Sequence, residues 1–139
     1  MFSTPDLKDK YQKKVFQGFK SMKSFGSKDS FFGQIKTVTC HDDNSKVKEI
    51  LGTNGKGKVL VINSNLITHA AMIGDEIAQK AIDNEWNGIF VAGYVRDVEL
   101  LKQMDLGILA LGSTTTKTNK NNKGFLGEDV IFGGVILSE

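Results

Sequence analysis

The 139-residue chain has one cysteine, one proline, one tryptophan, two histidines and, beside seventeen lysines, a single arginine. A lone Cys40 excludes an internal disulfide, and with only His41 and His69 as nitrogen ligands no structural zinc site is expected. Cys40 reads as a small buried hydrophobe, and His41, heading a polar turn, as a solvated side chain. No apolar run approaches the roughly 18 residues that a membrane span needs. The start Met1-Phe2-Ser3-Thr4-Pro5 also lacks the basic-then-apolar layout of a signal peptide, so a cytoplasmic location without a membrane partner is expected. A net charge of +2 is too mild to imply nucleic acid as a direct partner. The local tract Lys117-Thr118-Asn119-Lys120-Asn121-Asn122-Lys123 is basic but has no aromatic residues on which bases could stack, and it reads as a mobile loop, with a weak phosphate or RNA contact as the lesser reading.

What is present suffices for one domain, 1–139: 40% of the residues are apolar, enough for a core at this length. Thr4-Pro5-Asp6 supplies a capping hydroxyl, a proline at the first helical position and an acid in the first turn, predicting a helix from about 5 to 14. Phe31–Cys40 alternates and is rich in β-branched residues, while 58–63 and 87–93 carry continuous apolar runs; all three read as strands. Between the last two, Ile77, Ala78, Ala81 and Ile82 recur at helical spacing, predicting an amphipathic helix over 75–85. Strand, helix and strand make a βαβ unit, which is parallel and right-handed in nearly all cases. A short helix over 98–103, a strand over 107–111 and a closing strand over 130–137 complete an α/β chain.

Ligands of open α/β sheets bind beyond the carboxyl ends of the strands, and this topology brings Gly74, Asp75, Arg96 and Asp97 to that edge. The first-turn amides of Gly74, Asp75, Glu76 and Ile77 could hold an anion at a helix N-terminus. Arg96 would add a planar fork of donors suited to a carboxylate, which none of the lysines can imitate. Asp97 could take a hard divalent cation completed by water. Taken singly, Asp75 and Asp97 are also good N-caps. Together the four describe a site for a small oxo-acid.

Asp75, twenty intervening residues and then Arg96-Asp97 resembles the D-X20-R-D signature of the class II pyruvate aldolases of the RraA-like family, which includes 4-hydroxy-4-methyl-2-oxoglutarate aldolase. Phe31-Phe32-Gly33-Gln34-Ile35-Lys36-Thr37-Val38, followed by the acidic turn Asp42-Asp43-Asn44, is similar to a strand of that family. So is Asn54-Gly55-Lys56-Gly57-Lys58-Val59-Leu60-Val61, and Asp105-Leu106-Gly107 and Phe132-Gly133-Gly134-Val135 match later landmarks. The resemblance implies a compact α/β/β sandwich of the swivelling-domain type, assembling as a homotrimer with active sites between subunits. It implies that Gly74, Asp75, Glu76 and Ile77 hold the pyruvate carboxylate and that Arg96 binds the keto-acid and stabilises the enolate. Asp97 would anchor Mg²⁺ or Mn²⁺, and Asp75 would orient a water that carries the proton. Carbon-carbon cleavage beside a ketone leaves an enolate, whose charge a guanidinium and a divalent metal both stabilise.

The implied activity is a metal-dependent lyase on short oxo-acids, through aldol cleavage or oxaloacetate decarboxylation. The family also includes non-catalytic regulators that bind and inhibit ribonuclease E, which makes that enzyme a second candidate partner; a sugar- or phosphate-binding module using the 74–77 turn is a third reading. Three departures from the family pattern bear on this. Asn63-Ser64-Asn65-Leu66 stands in place of a glycine-rich turn, His69-Ala70 replaces a basic residue, and the sequence stops at Glu139 where relatives continue. Without a longer C-terminal segment, cleavage of long substrates is expected to suffer more than decarboxylation, which needs only the pyruvate half of the site.

Overall fold

The runs Val59-Leu60-Val61-Ile62 and Ile89-Phe90-Val91-Ala92 lack the alternation of a half-exposed strand, as parallel strands covered on both faces do. Both lie inside the sheet. The computed structural model describes Pro5, Asp9, Lys10 and residues 22–139, and the helix expected over 5–14 lies mostly outside those residues. In order, the elements are β1 (Lys23–Ser24), β2 (Gln34–Thr39), α1 (Ser45–Leu51), β3 (Lys58–Asn63), β4 (Ala71–Ile73) and α2 (Asp75–Asp83). There follow β5 (Gly88–Val95), α3 (Val98–Leu101), β6 (Gly107–Ser113), β7 (Phe125–Leu126), β8 (Val130–Phe132) and β9 (Val135–Leu137).

Strands β2, β3, β5 and β6 run parallel, with β1 and β7 antiparallel at the two edges, in the order β1-β6-β5-β3-β2-β7. The expected α/β fold is therefore a mixed sheet, and β3-α2-β5 is the expected parallel βαβ unit. Its register puts Leu60 beside Ile89 and Ile89 beside Ile108, and Ile62 beside Val91 and Val91 beside Ala110. These residues share one buried cluster with Val47 and Leu51 of α1, Ala78 and Ala81 of α2, and Leu101 of α3. The helices thus cover one face. The intervening row, which includes Phe90, faces the other way, where Phe132 meets Phe90 edge to face with ring centroids 5.6 Å apart. No helix among the described residues is long and apolar enough to cross a membrane.

One short strand missing from the sequence reading positions the site. β3 ends at Asn63, and β4 then takes the place beside the C-terminal half of β5, with Ala71 opposite Tyr94 and Ile73 opposite Val95. Between them, buried Ser64 donates its hydroxyl hydrogen bond to Ala92 O at 2.8 Å, satisfying a carbonyl that the break would otherwise orphan. Asn65 (φ 56°) and Leu66 (φ 60°) take the left-handed conformation that glycine adopts at least cost, so this turn follows a left-handed path without a glycine.

Two expectations are corrected. The closing strand is a hairpin, β8 and β9, because Gly133 (φ 59°) and Gly134 (φ 80°) supply the two successive positive φ angles of a tight two-residue turn. The 117–123 tract is fastened to the 42–45 turn. Asn119 N–H donates to Asp42 O at 2.8 Å, Asn122 N–H to Ser45 Oγ at 3.2 Å, and Asn121 N–H to the Asp43 carboxylate. Sequence composition marked the tract as polar; its partners lie more than seventy positions earlier in the chain. Cys40 is buried as expected, which pushes its thiol up to about 12, the nearby Asp43 charge adding to the effect. His41 is exposed and lies 2.9 Å from Asn65 Nδ2.

Asp43 is buried, and burial alone would raise its pKa; hydrogen bonds from Ser45 and from the backbone of Asn121 and Lys123 outweigh that and hold it below the ordinary carboxylate value. Replacing Asp43 by Ala should cost about 1–3 kcal/mol at neutral pH, since it strands those donors. A depressed folded-state pKa makes the contribution complete above the unfolded value of about 3.9 and loses it as pH falls through the folded value. Urea unfolding of both proteins should therefore show a stability gap that closes in acid; a gap that stays constant to about pH 2 would contradict the assignment.

Candidate active site

The site is built where β4 and β5 end together. Arg96 N–H donates to Ile73 O at 3.0 Å, so Ile73-Gly74-Asp75 and Arg96-Asp97 leave the sheet side by side. Gly74 is the N-cap of α2 in extended conformation and has no side chain with which to cap it. Asp97 supplies the cap from outside: its Oδ2 accepts the Asp75 N–H at 3.2 Å. The carboxylate reaches there because Asp97 sits in the left-handed region (φ 57°, ψ 42°) and makes no side-chain cap bond to its own helix, α3. Neither aspartate is thus the ordinary N-cap of its own helix: Asp75 is the first residue of α2, and the carboxylate of Asp97 serves that helix.

Partial burial pushes the Asp97 carboxyl up, but the hydrogen bonds from Asp75 and the charge of Arg96 more than offset this and hold it below the usual carboxylate range. The Arg96 Nε is 3.5 Å from Asp97 Oδ1, an ion pair too long for a hydrogen bond. That Nε is buried and, among the described residues, has no hydrogen-bond partner. A buried donor without a hydrogen bond costs on the order of 1–3 kcal/mol, and this one borders a space in which an acceptor could meet it.

These groups line a cavity of about 290 Å³. Gly74, Asp75, Glu76, Ile77, Arg96 and Asp97, all six residues singled out from the sequence, border it. The structure adds Asn44 and Lys48 from the α1 end, Lys80 from α2, and Lys117, Thr118 and Lys120 from the tract read as a mobile loop. The clustering of lysines in 117–123 was visible in the sequence, whereas Asn44 stood out only as part of the acidic turn, with no sign of a place at the site. His69 stays outside, exposed and 3.9 Å from Asp42. Among the described residues no three His, Cys, Asp or Glu side chains converge on one point. Such a donor set does not suit zinc; a single carboxylate completed by water and ligand oxygens suits Mg²⁺ or Mn²⁺.

The family model described as RraA-like, Aldolase/RraA, matches residues 4–139. The chain belongs to the RraA-like family. A Vibrio cholerae protein carrying the provisional name 4-hydroxy-4-methyl-2-oxoglutarate aldolase is 47% identical over 121 residues, covering 87% of this chain and 75% of the relative. A Pseudomonas aeruginosa protein with the same provisional name is 46% identical over 134 residues, covering 96% and 83%. Among solved structures, the RNA-processing inhibitor RraA of Thermus thermophilus superposes with a TM-score of 0.94 at 32% identity, covering 99% of this chain and 84% of the other. A Geobacillus kaustophilus structure named S-adenosylmethionine:2-dimethylmenaquinone methyltransferase gives 0.95 at 32% identity, covering 99% and 85%. Three different activities are named on one fold, so the choice between them rests on the site.

Gly74 offers a test of this geometry. A Cβ added there would stand 2.5 Å from Asp97 Oδ2 and 3.0 Å from Arg96 Cγ, with side chains rather than backbone in the way. Gly74→Ala should fold, losing about 0.5–2 kcal/mol as the cap on α2 is displaced. The Asp97 carboxyl should then titrate closer to the ordinary range, read by carboxyl ¹³C shifts; an unchanged titration would show that the close approach is unimportant.

Proposed function

We propose that the protein is an aldolase-type carbon-carbon lyase acting on short oxo-acids, by cleavage of 4-hydroxy-4-methyl-2-oxoglutarate, decarboxylation of oxaloacetate, or both. The observation that carries the reading is the buried Arg96 Nε, which makes no hydrogen bond among the described residues, beside a helix N-terminus and a carboxylate in one cavity. The aldolase names of relatives at 46–47% identity support it.

The Asp75 amide is already engaged by Asp97, so the substrate carboxylate falls to the backbone of Gly74, Glu76 and Ile77 at the start of α2. Arg96 donates to the keto-acid oxygens and takes up charge as the carbon-carbon bond breaks and its electron pair passes into the enolate. Asp75 orients a water that, in aldol cleavage, takes the proton of the substrate hydroxyl as its carbon becomes a carbonyl and returns one to the enolate carbon; in decarboxylation the water serves only the second transfer. Asp97 would hold Mg²⁺ or Mn²⁺, and the bound ion supplies Lewis-acid polarisation of the keto oxygen. The proposal extends to a homotrimer with sites between subunits; exposed Phe32, Ile131 and Ile136 offer apolar surface for such contacts, and light scattering would test it.

Incubation with oxaloacetate and Mg²⁺, with pyruvate detected through lactate dehydrogenase, should give a rate abolished by EDTA. Arg96→Lys should lose at least about tenfold in kcat/KM, because a point charge cannot reproduce a planar fork. A rate indifferent to EDTA or to Arg96→Ala would overturn the reading. The alternative, a non-catalytic regulator of ribonuclease E, is supported by the likeness to the Thermus RNA-processing inhibitor. Dose-dependent slowing of ribonuclease E cleavage that survives Arg96→Ala, with no turnover of oxo-acids, would favour it.

A further inference from the structure

Residues 118–122 are fastened to a single turn, 42–45, by polar bonds. Asn119 N–H donates to Asp42 O at 2.8 Å and its Nδ2 to Asp42 Oδ2 at 3.2 Å, Asn44 N–H donates to Thr118 Oγ1 at 3.3 Å, and Lys120 Nζ donates to Asn44 Oδ1 at 3.0 Å. Asn121 N–H reaches the Asp43 carboxylate, and Asn122 N–H reaches Ser45 Oγ at 3.2 Å. None of residues 117–123 is apolar, and all but Thr118 are exposed. This strap therefore adds no apolar side chain to the core, and a stretch held by partly solvated hydrogen bonds belongs to the part of a fold that opens at least cost. Its ends are fixed differently. Thr116 O accepts the Ala71 N–H of β4 at 2.9 Å, while at the far end Asn122 (φ 57°) and Gly124 (φ 128°) turn left-handed before β7 joins β2.

Asp43 is the most deeply placed of these anchors that carries a charge: it is 2% exposed, and no lysine or arginine pairs with it among the described residues. Its charge is met by the N–H of Ser45 and by those of Asn121 and Lys123 on the strap. Buried anion and strap are thus mutually dependent, since opening the strap strips the carboxylate of donors and weakening the carboxylate frees the strap. The facing wall of the cavity, 74–77 with Arg96 and Asp97, is built on β4, β5 and α2, whose buried residues belong to the core. Of the two walls, the strap is the one that can move without unpacking apolar groups. We propose that residues 117–123 are a latch on the Arg96 cavity, pinned by Asp43, which opens as one unit to admit a ligand. The latch does not depend on which ligand the cavity takes.

Arg96 is the chain's only arginine, so its modification by phenylglyoxal, followed by mass spectrometry of the peptide that contains it, reports entry of a small reagent into the cavity. Hydrogen exchange read by NMR reports the strap itself. In the unsubstituted chain the amides of Asn119, Asn121 and Asn122 should share one opening constant, and exchange well ahead of the Ile89 and Val91 amides of β5. Asp43→Asn should speed all three, and the modification of Arg96 with them, by about tenfold, the scale of one charge-assisted hydrogen bond, with Ile89 and Val91 unchanged. Ser45→Ala leaves the carboxylate in place and removes the acceptor of Asn122 N–H; it should speed the same readouts by about threefold, as a neutral bond is weaker. Faster exchange at Asn121 alone would mean fraying around one lost bond and would overturn the latch. Faster exchange of all three with Arg96 modification unchanged would also overturn it, since the strap would then open without admitting anything. If Asp43→Asn speeds the β5 amides as well, Ser45→Ala decides, and β5 amides that again rise in step with the strap would rule out a separate opening unit.

Discussion

The hydrogen bond from Asp75 N–H to Asp97 Oδ2 ties the ends of two parallel strands at the point where each turns into a helix. Remove it, and α2 has no side-chain cap, since Gly74 cannot supply one. The same bond places a negative charge at the positive end of the α2 dipole, where it is worth about 0.3–1 kcal/mol at an exposed site and more when partly buried. The left-handed backbone at Asp97 is strained for a residue with a side chain, at a cost of roughly 1–3 kcal/mol. That strain is what turns the carboxylate away from its own helix and onto the neighbouring one. Two adjacent residues are thereby separated in role: Asp97 Oδ2 is committed to the α2 terminus, while the buried Arg96 Nε stands 3.5 Å from Asp97 Oδ1 and makes no hydrogen bond among the described residues.

β4 makes this arrangement possible. If β3 had continued alongside β5 for its full length, the chain would have reached α2 without passing the ends of Val95 and Arg96. The break at Ser64 frees the C-terminal half of β5 for a second neighbour, and the Ile73 carbonyl then receives the Arg96 amide. On the opposite wall, Asn44 bonds to the same short strand through Met72, and buried Asp43 holds the loop that brings Lys117 and Lys120 to the cavity. The cavity is therefore assembled from segments around positions 44, 74, 96 and 118, each hydrogen-bonded to at least one of the others.

What the sequence made legible follows the range of the forces involved. The parallel βαβ unit was readable because continuous apolar runs and a 3.6-residue period are local signals. Gly74, Asp75, Arg96 and Asp97 could be placed together because strand direction fixes which ends converge. The roles of the two aspartates within that group were less legible: both looked like N-caps, and only the left-handed φ of Asp97 decides that its carboxylate serves the other helix. β4 is three residues long, too short for periodicity to reveal, and α1 buries only Val47 and Leu51, a single pair at i, i+4. The 117–123 tract was misread as mobile because its order comes from Asp42, Asp43, Asn44 and Ser45, a set of contacts that composition does not encode. In β8 and β9 the glycine pair was seen, but its positive φ angles turned an expected strand into a hairpin.

The fold alone leaves the function open, since an aldolase, an RNA-processing inhibitor and a methyltransferase are all named among its relatives. A surface that only binds another protein has little need of a buried guanidinium nitrogen that makes no hydrogen bond and is held only by an ion pair to Asp97 at 3.5 Å. Nor does it need a glycine whose replacement would crowd the Asp97 carboxylate to 2.5 Å. Both features make sense where a small anionic ligand supplies the missing acceptor and must come close to backbone. A chain that otherwise meets every cationic requirement with lysine keeps its one arginine at that position, where two adjacent planar donors matter more than charge. The physical demands of the cavity thus favour the proposed chemistry on a small oxo-acid over a purely protein-binding role.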